Sequence, residues 1–140
     1  VLAAASAPAG LVREETTAPA DARAVFERVR QAFEAGDQQA LADLVHEDGL
    51  RVRAGGPGAR DTDYSPSQAF YYFKNLFQTR RSVSFTYIRM EESSEGQRVH
   101  AMAAWSHRTR GGDADQEWRL VIVLTRQGDT WRLSEITTIG

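Results

Sequence analysis

Four strand-like runs follow one another in the second half of the chain, separated only by short polar turns. They span residues 83–90, 99–108, 118–125 and 131–139. The chain before residue 79 carries helix and loop signals instead, so the order of elements is that of an α+β protein. We therefore expect three N-terminal helices packed on a strongly curved antiparallel sheet of four main strands plus a short edge strand, residues 50–53. A sheet curved into a cone around its helices encloses a pocket, which makes ligand binding possible.

Two of the three helices meet at a predicted corner. Apolar residues recur at three- and four-residue steps over residues 22–33, with Asp21 as the expected N-cap. Gly36 is expected to end this helix in the left-handed conformation. Asp37 is then expected to cap a shorter helix, whose apolar stripe covers residues 40–45.

The third helix has the most specific start signal. Ser65-Pro66-Ser67-Gln68 has the pattern of a capping box with proline at the first helical position. Residues 54–63 precede it, and their glycines and lack of apolar periodicity predict a loop. Near the C-terminus, Gly128 and Asp129 indicate a hairpin turn between the last two strands.

Length and composition restrict the possible classes of protein. A chain of 140 residues predicts one domain with a core of its own. The net charge of −2 gives no general attraction to nucleic acid, and no run approaches the ~20 apolar residues that cross a bilayer. The absence of cysteine excludes disulfides, thiolate metal sites and cysteine nucleophiles. We expect no nucleic-acid partner, no transmembrane segment and no cofactor.

The N-terminal residues suggest an export route. Ala5-Ser6-Ala7 has the small-residue spacing that signal peptidases favour. We interpret residues 1–19 as a flexible segment, either the remnant of an export signal or a linker, and residues 20–140 as the single domain. A periplasmic or secreted location is the expectation, although the composition is also compatible with the cytoplasm.

Several segments resemble the nuclear-transport-factor-2-like, or cystatin-like, superfamily. They are residues 33–41 (FEAGDQQAL), the capped third helix and residues 128–133 (GDTWRL). The C-terminal half is also similar to a family of uncharacterised, mostly exported bacterial domains in that superfamily. The matching pieces occur in the same order, at residues 65–69, 85–86, 99–105, 118–124 and 128–131. The resemblance implies a cone with a pocket at its open end. Members of the superfamily include ketosteroid isomerases, dehydratases and plain binding modules, so the fold does not select a function.

Enzymes of this superfamily use a general base in the pocket, so we examined ionisable residues among apolar strand neighbours. Glu135 and His100 are the candidate catalytic residues, because an apolar pocket would raise the pKa of a carboxylate towards neutrality. The alternative for Glu135 is an outward carboxylate paired with Arg119 or Arg132. For His100 and His107 the alternative is a surface or interface position. These two histidines are seven residues apart, so a regular strand places them on opposite faces.

The candidate ligand-binding residues are Tyr71, Tyr72, Trp105 and Arg119. The tyrosine hydroxyls offer hydrogen bonds, although aromatic residues at helical spacing are more often core residues. We expect no metal site. The three histidines lack ligand spacing, and Asp61-Thr62-Asp63 is not followed by the glycine and glutamate of a calcium loop.

Three functional hypotheses follow from the sequence. The first is a non-catalytic exported domain that binds a small apolar ligand or associates with itself or a partner. The second is an isomerase or dehydratase with Glu135 or His100 as the base, and the third is a small structural subunit of an envelope complex. Residues 118–124 are apolar at nearly every position, so both faces of that strand should be covered. We expect a homodimer through the outer face of the sheet, which would carry Arg119, Val121 and Val123.

Overall fold

A computed structural model describes residues 15–16, 18–53, 60–92 and 96–139 of the chain. Within these ranges the helices are α1 (Ala20–Ala35), α2 (Gln38–Asp43) and α3 (Pro66–Thr79). The strands are β1 (Glu15–Thr16), β2 (Leu50–Arg53), β3 (Asp61–Tyr64), β4 (Arg80–Glu92), β5 (Arg98–Thr109), β6 (Asp115–Gln127) and β7 (Thr130–Thr138). They form one curled, unclosed sheet in the order β1-β4-β5-β6-β7-β2-β3. The predicted α+β class, with three helices and four long antiparallel strands, is confirmed.

The helix boundaries follow local hydrogen bonding. Gly36 ends α1 with a φ of 67°, and the Asp37 side chain accepts a hydrogen bond from the Ala40 amide at 3.0 Å, so the predicted corner is confirmed. The predicted N-cap of α1 is wrong, because the helix begins after Pro19. Asp21 lies in the first helical turn, where its carboxylate suits the positive end of the helix dipole.

The capping box of α3 is also confirmed. The Gln68 amide donates to the Ser65 hydroxyl at 3.2 Å, and the Ser65 amide donates to the Gln68 side chain at 2.9 Å. Ala69, Phe73 and Phe77 form the buried face of the helix. The chain then passes from α3 into β4 without a loop, which fixes the position of the first β4 residue relative to the helix.

The edge of the sheet differs from the prediction. The strand of residues 50–53 pairs in parallel with β7 and antiparallel with β3, so it is an interior strand. Strand β3 itself lies in the segment predicted as a loop, of which residues 54–59 fall outside the described ranges. Its Asp-Thr-Asp start has no apolar pattern. Instead, Asp63 and Asp61 pair with Arg51 and Arg53 at 3.0 and 2.6 Å.

The described residues of the N-terminal segment lie against the rest of the domain. Glu15 and Thr16 pair in parallel with Arg89 and Met90, and Ala18 is buried. Ala5-Ser6-Ala7 lies outside the described residues.

Alternation along β5 and β6 divides the sheet into two faces. The inner face packs against the helices and contains Ala101, Ala103 and Trp105 of β5 with Leu120, Ile122 and Leu124 of β6. The outer face contains Arg119, Val121 and Val123, as the sequence predicted. At the centre of the core, Phe33 of α1 contacts an aromatic cluster consisting of Phe73, Phe77, Phe85 and Trp105.

Candidate functional site

A cavity of about 730 Å³ lies on the inner side of the sheet, where α3, β3 and the first residues of β4 meet β6. We call it the aromatic cavity. It is lined by Thr62, Asp63, Tyr64, Gln68, Tyr71, Tyr72, Asn75, Leu76, Thr79, Arg80 and Trp118. The helix-to-strand junction at Arg80 and the pairing of β3 with β2 bring these residues together from four elements.

Tyrosines form one wall of the aromatic cavity. The rings of Tyr64 and Tyr72 lie 5.2 Å apart, and Tyr72 also contacts the core residue Phe73. Burial, followed by the neighbouring Tyr64, raises the pKa of Tyr72 to about 12, against a lowering effect of Arg80. The Tyr72 hydroxyl therefore stays protonated at neutral pH and can donate a hydrogen bond. Tyr71 lies at the rim, 60% exposed.

The lining also combines an indole with a positive charge. The Arg80 guanidinium lies 4.4 Å from the centre of the Trp118 ring, a distance typical of a cation–π contact. In the described part of the chain no carboxylate forms a salt bridge with Arg80. The acidic residue of the lining, Asp63, is paired with Arg51 at 3.0 Å.

Behind Trp118 lies a buried histidine that the sequence analysis placed at a surface or an interface. That prediction is wrong, because His107 has no exposed surface. Its ring lies 4.3 Å from Trp105 and 4.6 Å from Trp118, and neither ring nitrogen has a hydrogen-bond partner among the described residues. Burial, with a smaller effect of Arg80, lowers the pKa of His107 to about 4. The imidazole is therefore neutral at pH 7.

A sequence signal for this position existed. His107 follows Trp105 by two residues, so on a regular strand the two side chains share a face. The face of Trp105 is the inner one, which it shares with Val99, Ala101 and Ala103. The alternation of β5 was therefore sufficient to predict that His107 is buried.

The four predicted ligand-binding residues do not share one cavity. Tyr71 and Tyr72 line the aromatic cavity. Trp105 is a core residue, 1% exposed, whose indole N–H donates to the Ser82 hydroxyl at 2.9 Å. Arg119 lies on the outer face of the sheet and pairs with Glu117 at 3.1 Å.

The two candidate bases also lie on the outer face. Glu135 pairs with Arg98 at 2.7 Å, and His100 contacts Glu91 at 3.1 Å. The alternative of an outward, ion-paired Glu135 therefore describes the structure, although its partner is Arg98 rather than Arg119 or Arg132. Neither residue lines the aromatic cavity. Glu135 instead lines a second, more polar cavity of about 420 Å³ with Arg51, Asp63 and Arg98.

A third histidine, His46, holds the chain after α2 against the β6–β7 hairpin. Its Nδ1 accepts a hydrogen bond from the Asp48 amide at 3.0 Å, so Nε2 carries the proton and donates to the Arg126 carbonyl at 3.2 Å. Both ring nitrogens are thus used structurally. Across the described ranges no group of three or more metal-ligating side chains occurs, and no helix is long and apolar enough to span a membrane.

Comparison with known proteins identifies the fold. No protein-family model matches the chain, and no curated protein matches its sequence. Among solved structures, a DUF4783 family protein from Bacteroides ovatus is similar with a TM-score of 0.64 and 16% identity, covering 87% of this chain and 94% of that one. A ketosteroid isomerase-like protein from Erwinia carotovora atroseptica has a TM-score of 0.66 and 13% identity, over 86% and 93% of the two chains.

A third similar structure is a hypothetical protein from Catenulispora acidiphila with a ketosteroid isomerase-like fold, in complex with trimethylamine. Its TM-score is 0.63 with 13% identity, over 81% of this chain and 82% of that one. The chain therefore has the nuclear-transport-factor-2-like fold, which confirms the resemblance noted in its sequence. At these identities the likeness concerns the fold alone.

Proposed function

We propose that this domain is an exported, non-catalytic binding module whose aromatic cavity takes a small, flat, apolar ligand. The observation that carries the proposal is the set of three aromatic rings, those of Tyr64, Tyr72 and Trp118, that line about 730 Å³ of space. Small-molecule sites usually have volumes of ~300–1,000 Å³ and apolar walls with a few polar groups. The trimethylamine bound by the Catenulispora acidiphila protein supports, by analogy of fold, a role in holding small molecules.

Binding is favoured over catalysis by the position of the ionisable groups. The isomerase or dehydratase hypothesis needs Glu135 or His100 beside a tyrosine in the cavity, whereas Glu135 pairs with Arg98 and His100 contacts Glu91 on the outer face. Among the other described residues near the cavity, Asp63 is paired with Arg51, and His107 contacts Trp118. A general base is most effective when its pKa is near the working pH, so a histidine with a pKa of about 4 is a weak base at neutrality.

The wall of the cavity provides the test. We expect Tyr72→Leu to weaken binding of a neutral flat probe, 2-naphthylmethanol, by about fivefold, because one aromatic contact is worth ~1 kcal/mol beyond its buried area. Phe70→Leu is the matched control. Phe70 lies on the same helix but lines a different cleft, with Pro66 and Ser67. Isothermal titration calorimetry measures both affinities. Absence of wild-type binding both to this alcohol and to the matching carboxylate, 2-naphthoate, at millimolar concentration, or an equal loss in both variants, would contradict the proposal.

We also propose that the domain forms a homodimer through the outer face of β5 and β6. The centre of this face is apolar, with Met102 opposite Val121 and with Val123 next along the same strand face. Around it lie charges of both signs, including the Arg119–Glu117 and Arg98–Glu135 pairs. A second copy turned by a two-fold axis would present the same mixture, so the surface can complement itself. Sedimentation equilibrium of the wild type measures the association.

Export remains a proposal that rests on Ala5-Ser6-Ala7. Cell fractionation of the natural producer, followed by detection of the protein in the periplasm or medium, would support it. Detection only in the cytoplasm would contradict it.

A further inference from the structure

We propose that the flat, otherwise apolar ligand of the aromatic cavity carries one carboxylate group, as an aromatic carboxylate does, and that Arg80 binds this group. This inference rests on the proposed binding function and adds the chemical class of the ligand. Three features of the described residues lead to it: the fixed position of Arg80, the absence of a carboxylate for it, and the donors that surround the same space.

The backbone holds Arg80 rigidly at the cavity. Arg80 is the residue at which α3 ends and β4 begins, and its amide donates to the Leu76 carbonyl. Its backbone is extended, with φ −136° and ψ 140°, and it pairs with Thr109 of β5. A side chain anchored at a helix–strand junction loses less freedom on binding than one on a loop, which favours affinity.

The guanidinium lies beside an aromatic face, with its Cζ atom 4.4 Å from the centre of the Trp118 ring. N–H groups that are not directed at the ring can form two parallel hydrogen bonds to a carboxylate. Trp118 at the same time offers its ring to the apolar part of the ligand.

The charge of Arg80 lacks a carboxylate counterpart in the described ranges, unlike that of several arginines on the outer face. Arg51, Arg53, Arg98, Arg108 and Arg119 each pair with an Asp or Glu at 3.1 Å or less. Arg80 is partly buried, and its charge disfavours protonation of the nearby His107. A bound anion would neutralise this charge, whereas a cation would be repelled.

The remaining lining fits the rest of such a ligand. The protonated Tyr72 hydroxyl can donate to an anion, and the Tyr64 and Tyr72 rings can stack on an aromatic group. The acidic Asp63 is already paired with Arg51, so it does not compete for Arg80. The site therefore combines an anion-binding edge with aromatic walls.

The experiment compares two probes of similar shape by titration calorimetry at low salt. One is the anion 2-naphthoate, and the other is the neutral alcohol 2-naphthylmethanol. We expect the wild type to bind naphthoate at least tenfold more tightly than the alcohol. Arg80→Gln should abolish this preference while the alcohol still binds. Arg81→Gln should keep it, because Arg81 is the next residue and is exposed on the other face of β4.

Arg80→Lys provides a second variant that keeps the charge but not the fork, and should retain only part of the preference. Circular dichroism melting shows whether each variant is folded. If Arg80→Gln does not fold, the preference for naphthoate is compared between Arg80→Lys and the wild type instead. Equal wild-type affinities for the two probes, or an unchanged preference in a folded Arg80 variant, would overturn the inference and leave the proposed function standing. If neither probe binds to the wild type, the proposed function fails and the inference fails with it.

Discussion

His100 and His107 lie on the same strand, seven residues apart, and show how different the two faces of this sheet are. His107 faces inward between Trp105 and Trp118, without a hydrogen-bond partner among the described residues. His100 faces outward and contacts Glu91 at 3.1 Å, with 45% of its side chain exposed. The inner face is built by packing and contains the aromatic cavity, whereas the outer face carries ion pairs that solvent weakens. Stability therefore depends mainly on the inner face, and association is proposed for the outer one.

The largest expected effect is the loss of Trp105 from the inner face. Trp105→Ala should lower the free energy of unfolding by ~3–5 kcal/mol, because it leaves a large void among closely packed rings. Met102→Ala, three residues away on the outer face, should cost about 1 kcal/mol or less. Urea denaturation measures both, and Trp105→Phe replaces the alanine variant if that one does not fold. Similar losses of unfolding free energy in the Trp105 and Met102 variants would mean that the two faces contribute equally to stability.

The next effect is the contribution of His107 to the dependence of stability on pH. Its pKa of about 4 in the folded protein is below the usual 6.5, so the unfolded chain binds the proton first as the pH falls. The contribution of the neutral His107 to the free energy of unfolding is fully present above about pH 6.5. It is lost as the pH falls towards 4, at ~1 kcal/mol per pH unit. Stability measured from pH 7 to pH 4 should therefore fall less steeply in His107→Leu than in the wild type. Met102→Leu, the control from the outer face of the same strand, should keep the wild-type slope because it removes no titratable group. Equal slopes in the two variants would contradict the prediction.

The smallest effect on folding is expected for Val121→Glu on the outer face. The side chain is partly exposed in the single chain, so the unfolding free energy of the monomer should change by about 0.5 kcal/mol or less. A homodimer through this face would nevertheless dissociate, because two unpaired carboxylates would be buried at its centre. Sedimentation of the wild type and the variant tests both statements. A wild-type monomer at tens of micromolar, or a folded variant that remains dimeric, would show that this surface is not the interface.

The sequence predictions that the structure confirms depend on interactions between residues close together in the chain. The capping box at Ser65 and the left-handed Gly36 each depend on residues within a few positions, and Gly128 adopts a φ of 62° in the predicted hairpin. Alternation along β6 likewise showed which residues share a face. The errors also have physical causes. Strand β3 lacks an apolar pattern because it is held by β2 and by ion pairs with Arg51 and Arg53, which no local signal records.

The candidate site shows the same limit. Tyr71 and Tyr72 were identified from their helix, but Arg80 and Trp118 went unrecognised as a pair because 38 residues separate them. Their contact exists because α3 ends at the sheet and the register of β4, β5 and β6 places the two side chains together. The sequence by itself determined the elements, their caps and the alternation of their faces, since these depend on local hydrogen bonds and periodicity. Only the tertiary structure decided which residues enclose the cavity, because register and helix placement are set by packing across the whole domain.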